Sequence, residues 1–201
     1  MARQGGSSAR RHPGRSSPLI IDIARLARRP GTMFTLRSTV PSMRRVGLEL
    51  IAIEQDAPLE LDLRVESVSE GVLVTGTVAA PTTGECARCL TAVTGNVEIT
   101  LTELFAYPES TTSATTAEDE VPRVIDDTVN LEQPIIDAVG LALPFSPLCC
   151  PDCPGLCPEC GVMLATAEPD HHHDLIDPRW STLTAIKSQL DDGATQPKND
   201  Q

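Results

Sequence analysis

The sequence predicts an α+β fold: an antiparallel, curved or barrel-like sheet with a few helices, a cysteine-rich C-terminal segment and a disordered basic N-terminus. Three observations carry this expectation. Apolar and polar residues alternate with period two between Val46 and Tyr107, which is the pattern of half-buried antiparallel strands. Helical periodicity is confined to two short stretches, about 131–141 and 177–190. So little helix cannot cover a broad flat sheet, and the strands are expected to curl or close. Finally, six of the seven cysteines fall at short, regular spacings late in the sheet region and beyond it.

In chain order, residues 1–17 are Gly, Ser, Arg and Gln with almost no apolar content, and read as a disordered basic tail. Residues 18–107 form a short helix and the strand region. The run Leu19-Ile20-Ile21-Asp22-Ile23-Ala24-Arg25-Leu26 comes first, with Asp22 as a helix cap and Pro30-Gly31 as a turn. Leu59, Leu61, Leu63 and Val65 then alternate with charged residues, and Glu66–Val74 reads as a hairpin. Residues 108–122 are Ser, Thr, Glu and Asp and read as a solvated acidic loop. The segment 123–193 holds a helix, the cysteine cluster and a second helix. Asn130 is placed to cap the first helix, with Pro134 in its first turn. Asp177-Pro178 caps the second, whose stripe is Trp180, Leu183, Ile186 and Leu190. Residues 194–201 are a polar tail.

Charge is unevenly spread. Residues 1–45 carry ten Arg and one acid, Asp22, whereas the remainder carries six basic and 27 acidic residues, which together give the net −12. That asymmetry suggests an interaction arm on an acidic body, with a solubilising tail as the plain alternative. Arginine suits phosphate, so contact with RNA is expected of the arm and not of the body. Five aromatic residues, Phe34, Phe105, Tyr107, Phe145 and Trp180, are too few for a base-stacking sheet. No apolar run reaches the 18 residues of a membrane span, and no apolar stretch follows the early arginines as in a secretory leader. A reducing, cytoplasmic setting is therefore expected, in which cysteines serve metals better than disulfides.

The cysteine groups are Cys86-Ala-Arg-Cys89, Cys149-Cys150-Pro-Asp-Cys153 and Cys157-Pro-Glu-Cys160-Gly161. Two thiolates separated by two residues reach one ion when the backbone turns tightly. Gly161 after Cys160 permits the left-handed turn, and Pro158 pre-sets its φ. Tetrahedral structural zinc fits this set best. A thioredoxin-like dithiol would need a βαβ context, and an iron–sulfur cluster uses the same thiolates. The preferred arrangement is one site of Cys86, Cys89, Cys149 and Cys153, with Cys157 and Cys160 drawing on His171 and His173 for a second. The alternatives are a single ribbon of Cys86/Cys89 with Cys157/Cys160, and a His run that is only a solvated turn. Cys150 is the spare thiol. No GxSxG, HExxH or phosphate-cradling glycine loop occurs, so neither catalysis nor a small-molecule substrate is expected.

These motifs, with Leu143-Pro144, Cys153-Pro-Gly155-Leu156-Cys157-Pro158, Ile176-Asp177-Pro178-Arg179-Trp180 and the early Asp22…Leu26…Arg29-Pro30-Gly31, resemble the YceD-like family over about residues 18–190. The resemblance implies a bacterial ribosome-biogenesis factor that supports accumulation of 23S, large-subunit, ribosomal RNA. Its partner would be a precursor of the large ribosomal subunit, through RNA or a ribosomal protein. The chain departs from the family pattern at Cys150 and at His171-His172-His173, where many relatives have a Cys-x-Cys; the swap supports His171 and His173 as substitutes for thiolates. The competing function is a zinc-dependent or redox enzyme of unknown substrate, which would need an open coordination position.

Overall fold

The structure, a computed structural model, describes residues 17–117, 120–173, 179 and 183. It contains two compact units, one ending at Cys153 and one beginning at Pro154. Among the described residues the fold is mixed, with mostly antiparallel sheet and two α-helices.

In the first unit β1 (Ile20–Asp22) precedes a single 3₁₀ turn, Ala24–Leu26. The N-cap of this turn is Ile23 and not Asp22, although Asp22 Oδ1, one residue earlier, accepts from the Ala24 N–H at 2.8 Å. Next come β2 (Met33–Pro41), β3 (Val46–Gly47), β4 (Ile51–Ile53), β5 (Pro58–Val68), β6 (Gly71–Glu85) and β7 (Ala92–Ala106). They pair in the order β2-β5-β6-β4-β3, with β7 on β6. The organising element is β6. One of its edges pairs with β7 along all fifteen residues, while the other is shared between β5 at Gly71–Ala79 and β4 at Thr83–Gly84. Pro81, which has no N–H to donate, falls in the gap between those two partners. Gly76 lies at φ +146°, and a Cβ there would stand 2.1 Å from the Asp62 carbonyl oxygen; only glycine lets β5 approach so closely.

The pairing path does not close on itself among the described residues, so the barrel-like expectation is corrected to an open sheet. Helix was underestimated as cover. The helix α2 (Glu132–Ala142) packs against β7 and β3, and a two-stranded ribbon of β1 with β8 (Thr128–Asn130) adds Leu19, Ile21, Ile23 and Val129 to the core. Alternation in β5 holds as expected: Leu59, Leu61, Leu63 and Val65 are buried and their neighbours exposed. The β5–β6 hairpin turns on Ser69-Glu70, with Val68 opposite Gly71. The N-cap of α2 is Leu131, one residue later than expected, and Asn130 Oδ1 accepts from the free Glu132 N–H at 2.9 Å. Within the acidic stretch 108–122 the chain makes a short helix, α1 (Thr111–Thr115), because Ser110 Oγ accepts from the Ser113 N–H and Glu70 accepts from the Thr112 N–H.

Most arginines of the expected arm belong to the folded body. Arg28 pairs with Glu109 and Asp127, Arg37 with Asp62, Arg44 with Glu132 and Arg45 with Glu54. The arm therefore shrinks to the stretch before Ser17, which lies outside the described residues, as do the polar tail and the stripe residues Trp180, Ile186 and Leu190. Among the described residues, no helix is long and apolar enough to cross a membrane.

Candidate metal centres

The first cysteine pair occupies the tip of the β6–β7 hairpin. Glu85 still pairs with Ala92, and the six residues between them form one tight turn. The Cys86 N–H donates to the Thr91 carbonyl at 2.8 Å, and the Leu90 N–H donates back to the Cys86 carbonyl at 2.9 Å. In the second unit the same turn recurs around Cys157. The Cys157 N–H donates to the Val162 carbonyl at 2.8 Å, and the Gly161 N–H to the Cys157 carbonyl at 2.8 Å. The residue after the second cysteine is left-handed in both turns: Gly161 at φ +73° and Leu90 at φ +59°. In the first turn leucine fills the place that glycine has in the second.

Cys149 and Cys153 follow α2 and are carried to the hairpin tip by backbone contacts. The Ala87 N–H donates to the Pro147 carbonyl at 2.8 Å, and Arg88 Nη1 to the Cys153 carbonyl at 2.9 Å. The ligand atoms of Cys86, Cys89, Cys149 and Cys153 all lie within 4.8 Å of one another. The Cys86–Cys153 sulfur distance is 3.8 Å and the Cys89–Cys149 distance 3.6 Å. A tetrahedral ion with metal–sulfur bonds of about 2.3 Å has sulfur–sulfur edges of about 3.8 Å, so the group fits a four-coordinate ion.

Electrostatics point the same way. The backbone N–H of Cys149, aimed at the Cys86 sulfur, pulls that thiol down to about 6. The Thr91 hydroxyl, 3.2 Å from Cys89 Sγ, lowers Cys89. Cys149 is raised, first by the neighbouring Cys89 thiol. Four crowded sulfurs cannot all ionise without a compensating positive charge, which a bound cation would supply.

The second group joins Cys157, Cys160, His171 and His173, again with ligand atoms within 4.8 Å of one another. Cys160 Sγ stands 3.5 Å from His171 Nε2, and the Nε2 atoms of His171 and His173 are 3.2 Å apart. With metal–sulfur bonds near 2.3 Å and metal–nitrogen bonds of about 2.0–2.1 Å, tetrahedral S–N and N–N edges are about 3.5 and 3.4 Å. The Cys160 backbone N–H, ahead of the His171 side chain, draws Cys157 down to about 6. This group is more open than the first: Cys160 and His173 are exposed, whereas Cys86, Cys89 and Cys153 are buried.

The structure thus brings all eight candidate residues into two groups of four that can each hold a metal ion. Cys150 stands beside the first group, with its exposed sulfur 3.8 Å from Cys149 Sγ. His172 turns away, its Nδ1 2.6 Å from the Asp170 carbonyl oxygen. Arg88, Thr91 and Pro147 were not singled out in the sequence, although Arg88 lies inside the Cys86–Cys89 turn and is the signal that could have been followed.

Comparison with known proteins places this geometry in context. The chain is 70% identical over 186 residues to an uncharacterized protein of Mycobacterium tuberculosis (strain ATCC 25618 / H37Rv), covering 92% of this chain and 88% of the relative. A Mycobacterium bovis relative shows the same identity and coverage. One from Mycobacterium leprae is 60% identical over 184 residues, covering 92% and 83%. No solved structure matches. The family described as large ribosomal RNA subunit accumulation protein YceD matches residues 74–187, a span that begins inside β6 and takes in both cysteine groups. The chain therefore belongs to the YceD family.

Proposed function

We propose that this protein is a non-enzymatic ribosome-biogenesis factor of the bacterial cytoplasm that supports accumulation of large-subunit ribosomal RNA, with zinc as a structural staple. The carrying observation is family membership across residues 74–187. The ligands are Cys86, Cys89, Cys149 and Cys153 for one ion, and Cys157, Cys160, His171 and His173 for the other. Zinc suits both donor sets, since sulfur with imidazole in a tetrahedron is its usual company. Each group supplies four protein ligands, which leaves no open position for substrate and favours a structural role over a catalytic one. The partner is a precursor of the large ribosomal subunit, met through its RNA or a ribosomal protein. Arg3, Arg10, Arg11 and Arg15, with no acid among them, are suited to phosphate.

Sedimentation tests this reading. Tagged full-length chain from the bacterial host should run with large-subunit precursors on a low-salt sucrose gradient. A chain that stays with free protein at every salt concentration contradicts it.

A further inference from the structure

We infer that the outer edge of β2 is a docking site for an extended segment of a protein partner, one that carries alternating aliphatic side chains and a carboxylate at one end. Among the described residues, strand β2 ends the sheet and pairs only with β5. The phase of that pairing is set at both ends. The Ser67 N–H donates to the Thr32 carbonyl, and the Ser42 N–H to the Ala57 carbonyl, so even-numbered residues bond to β5. Thr35, Arg37 and Thr39 therefore direct their N–H and C=O groups away from it. Pro41, without an N–H, occupies the same outward phase. An edge of this length invites strand addition unless something covers it.

Beside that edge runs a groove of about 610 Å³, with Leu36, Val40 and Leu61 on one wall and Ile20 on the other. Leu36 and Val40 are half-buried and pack on the core. A strand added to β2 would place every second side chain in this aliphatic groove. At the groove's rim Arg25 stacks on Phe34, its guanidinium carbon 3.2 Å from the ring centroid. Arg28, Arg37, Arg44, Arg45 and Arg64 each have a carboxylate partner. Arg25 makes no ion pair among the described residues, and Asp22, on the same wall, is engaged by the Ala24 N–H. Charge complementarity therefore asks for an acidic residue at that end. The chain's own first sixteen residues do not fit, since they carry four arginines, no acid and hardly an aliphatic side chain. RNA does not fit either, for it has no amide ladder to pair with the edge. The site shares no residue with the metal groups.

Selection of a phage-displayed random nonapeptide library on the full chain tests this, followed by fluorescence anisotropy with the selected peptides. Selected sequences should alternate aliphatic residues and end in Asp or Glu. Arg25→Glu should weaken them about tenfold, the cost of a lost and reversed charge contact. Thr39→Pro, which removes an outward N–H and no bond to β5, should weaken them at least about tenfold. N-methylation of alternate peptide amides should abolish binding to the wild-type chain, which keeps the test valid if a protein variant misfolds. Removal of residues 1–16 should leave affinity unchanged. The inference is overturned if no such motif is selected, if N-methylation has no effect, if both substitutions leave affinity intact, if the shortened chain binds much more tightly, or if single-stranded RNA displaces the peptide.

Discussion

The Sγ atoms of Cys86 and Cys153 stand 3.8 Å apart across a sequence separation of 67 residues. Between them lie the whole of β7, α1, β8 and α2. The contact joins a hairpin tip to the segment that leaves α2, at a place where few apolar side chains are available to hold them. Of the large apolar residues close to them in sequence, Leu90 and Phe145 are 56% and 83% exposed, and Leu148 is only half-buried. Closing so long a loop has an entropic cost that hydrogen bonds from Ala87 and Arg88 only partly offset. A shared ion would supply the remainder.

Metal content follows directly. Protein purified without chelator should hold two zinc ions per chain by elemental analysis. Cys86→Ser should lose one and His171→Ala the other. Because apparent zinc binding is worth on the order of 10 kcal/mol in small domains, Cys86→Ser should also free the hairpin tip, read as faster amide exchange at positions 86 and 90, whose N–H groups close the turn. Iron as the main metal, or unchanged zinc in both variants, contradicts the ligand assignment.

The paired turns give a backbone test of opposite sign at equivalent positions. A left-handed residue with a Cβ costs roughly 1–2 kcal/mol. Leu90→Gly should therefore stabilise the first turn by about 0.5–1 kcal/mol after the extra glycine entropy is counted. Gly161 has open space around its missing Cβ, so Gly161→Ala is penalised by conformation alone. It should weaken metal affinity at the second group about fivefold, equivalent to ~1 kcal/mol. Thermal melts and competition with a chromogenic chelator measure the two effects.

Removal of residues 1–16 should leave the melting temperature unchanged, since it spares Ser17, which accepts from the Leu19 and Ile20 N–H groups, and the core that begins at Leu19. Association with ribosomal precursors should weaken and lose its salt dependence, because four Arg are removed. Unchanged association would reduce the arm to a solubilising tail.

Much of the fold was legible where local pattern and tertiary demand agree. Leu59, Leu61, Leu63 and Val65 alternate because β5 has one wet face, and Asn130 marks the start of α2 by accepting from the Glu132 N–H. Other elements depend on distant partners. Strands β1 and β8 have three residues each and form only by meeting across more than a hundred positions. Ile51, Ala52 and Ile53 are all buried because β4 fills the end of the β6 edge beyond β5, which abolishes alternation. The first half of β7 was missed because Thr94, Gly95 and Asn96 stand clear of the core, so neither face is apolar. The Cys-x-x-Cys spacings are local and were readable, whereas the approach of Cys149 and Cys153 to Cys86 and Cys89 depends on the α2 path and on Pro147.

The most direct measurement is the ratio of large- to small-subunit ribosomal RNA in the bacterial host after deletion of the gene. Complementing strains would express the wild-type chain or the double variant Cys86→Ser/Cys153→Ser. If the zinc-stapled chain supports large-subunit rRNA accumulation, the ratio falls on deletion, returns with the wild-type chain and stays low with the double variant. An unchanged ratio on deletion, or full rescue by a double variant shown to lack metal at the first group, contradicts it.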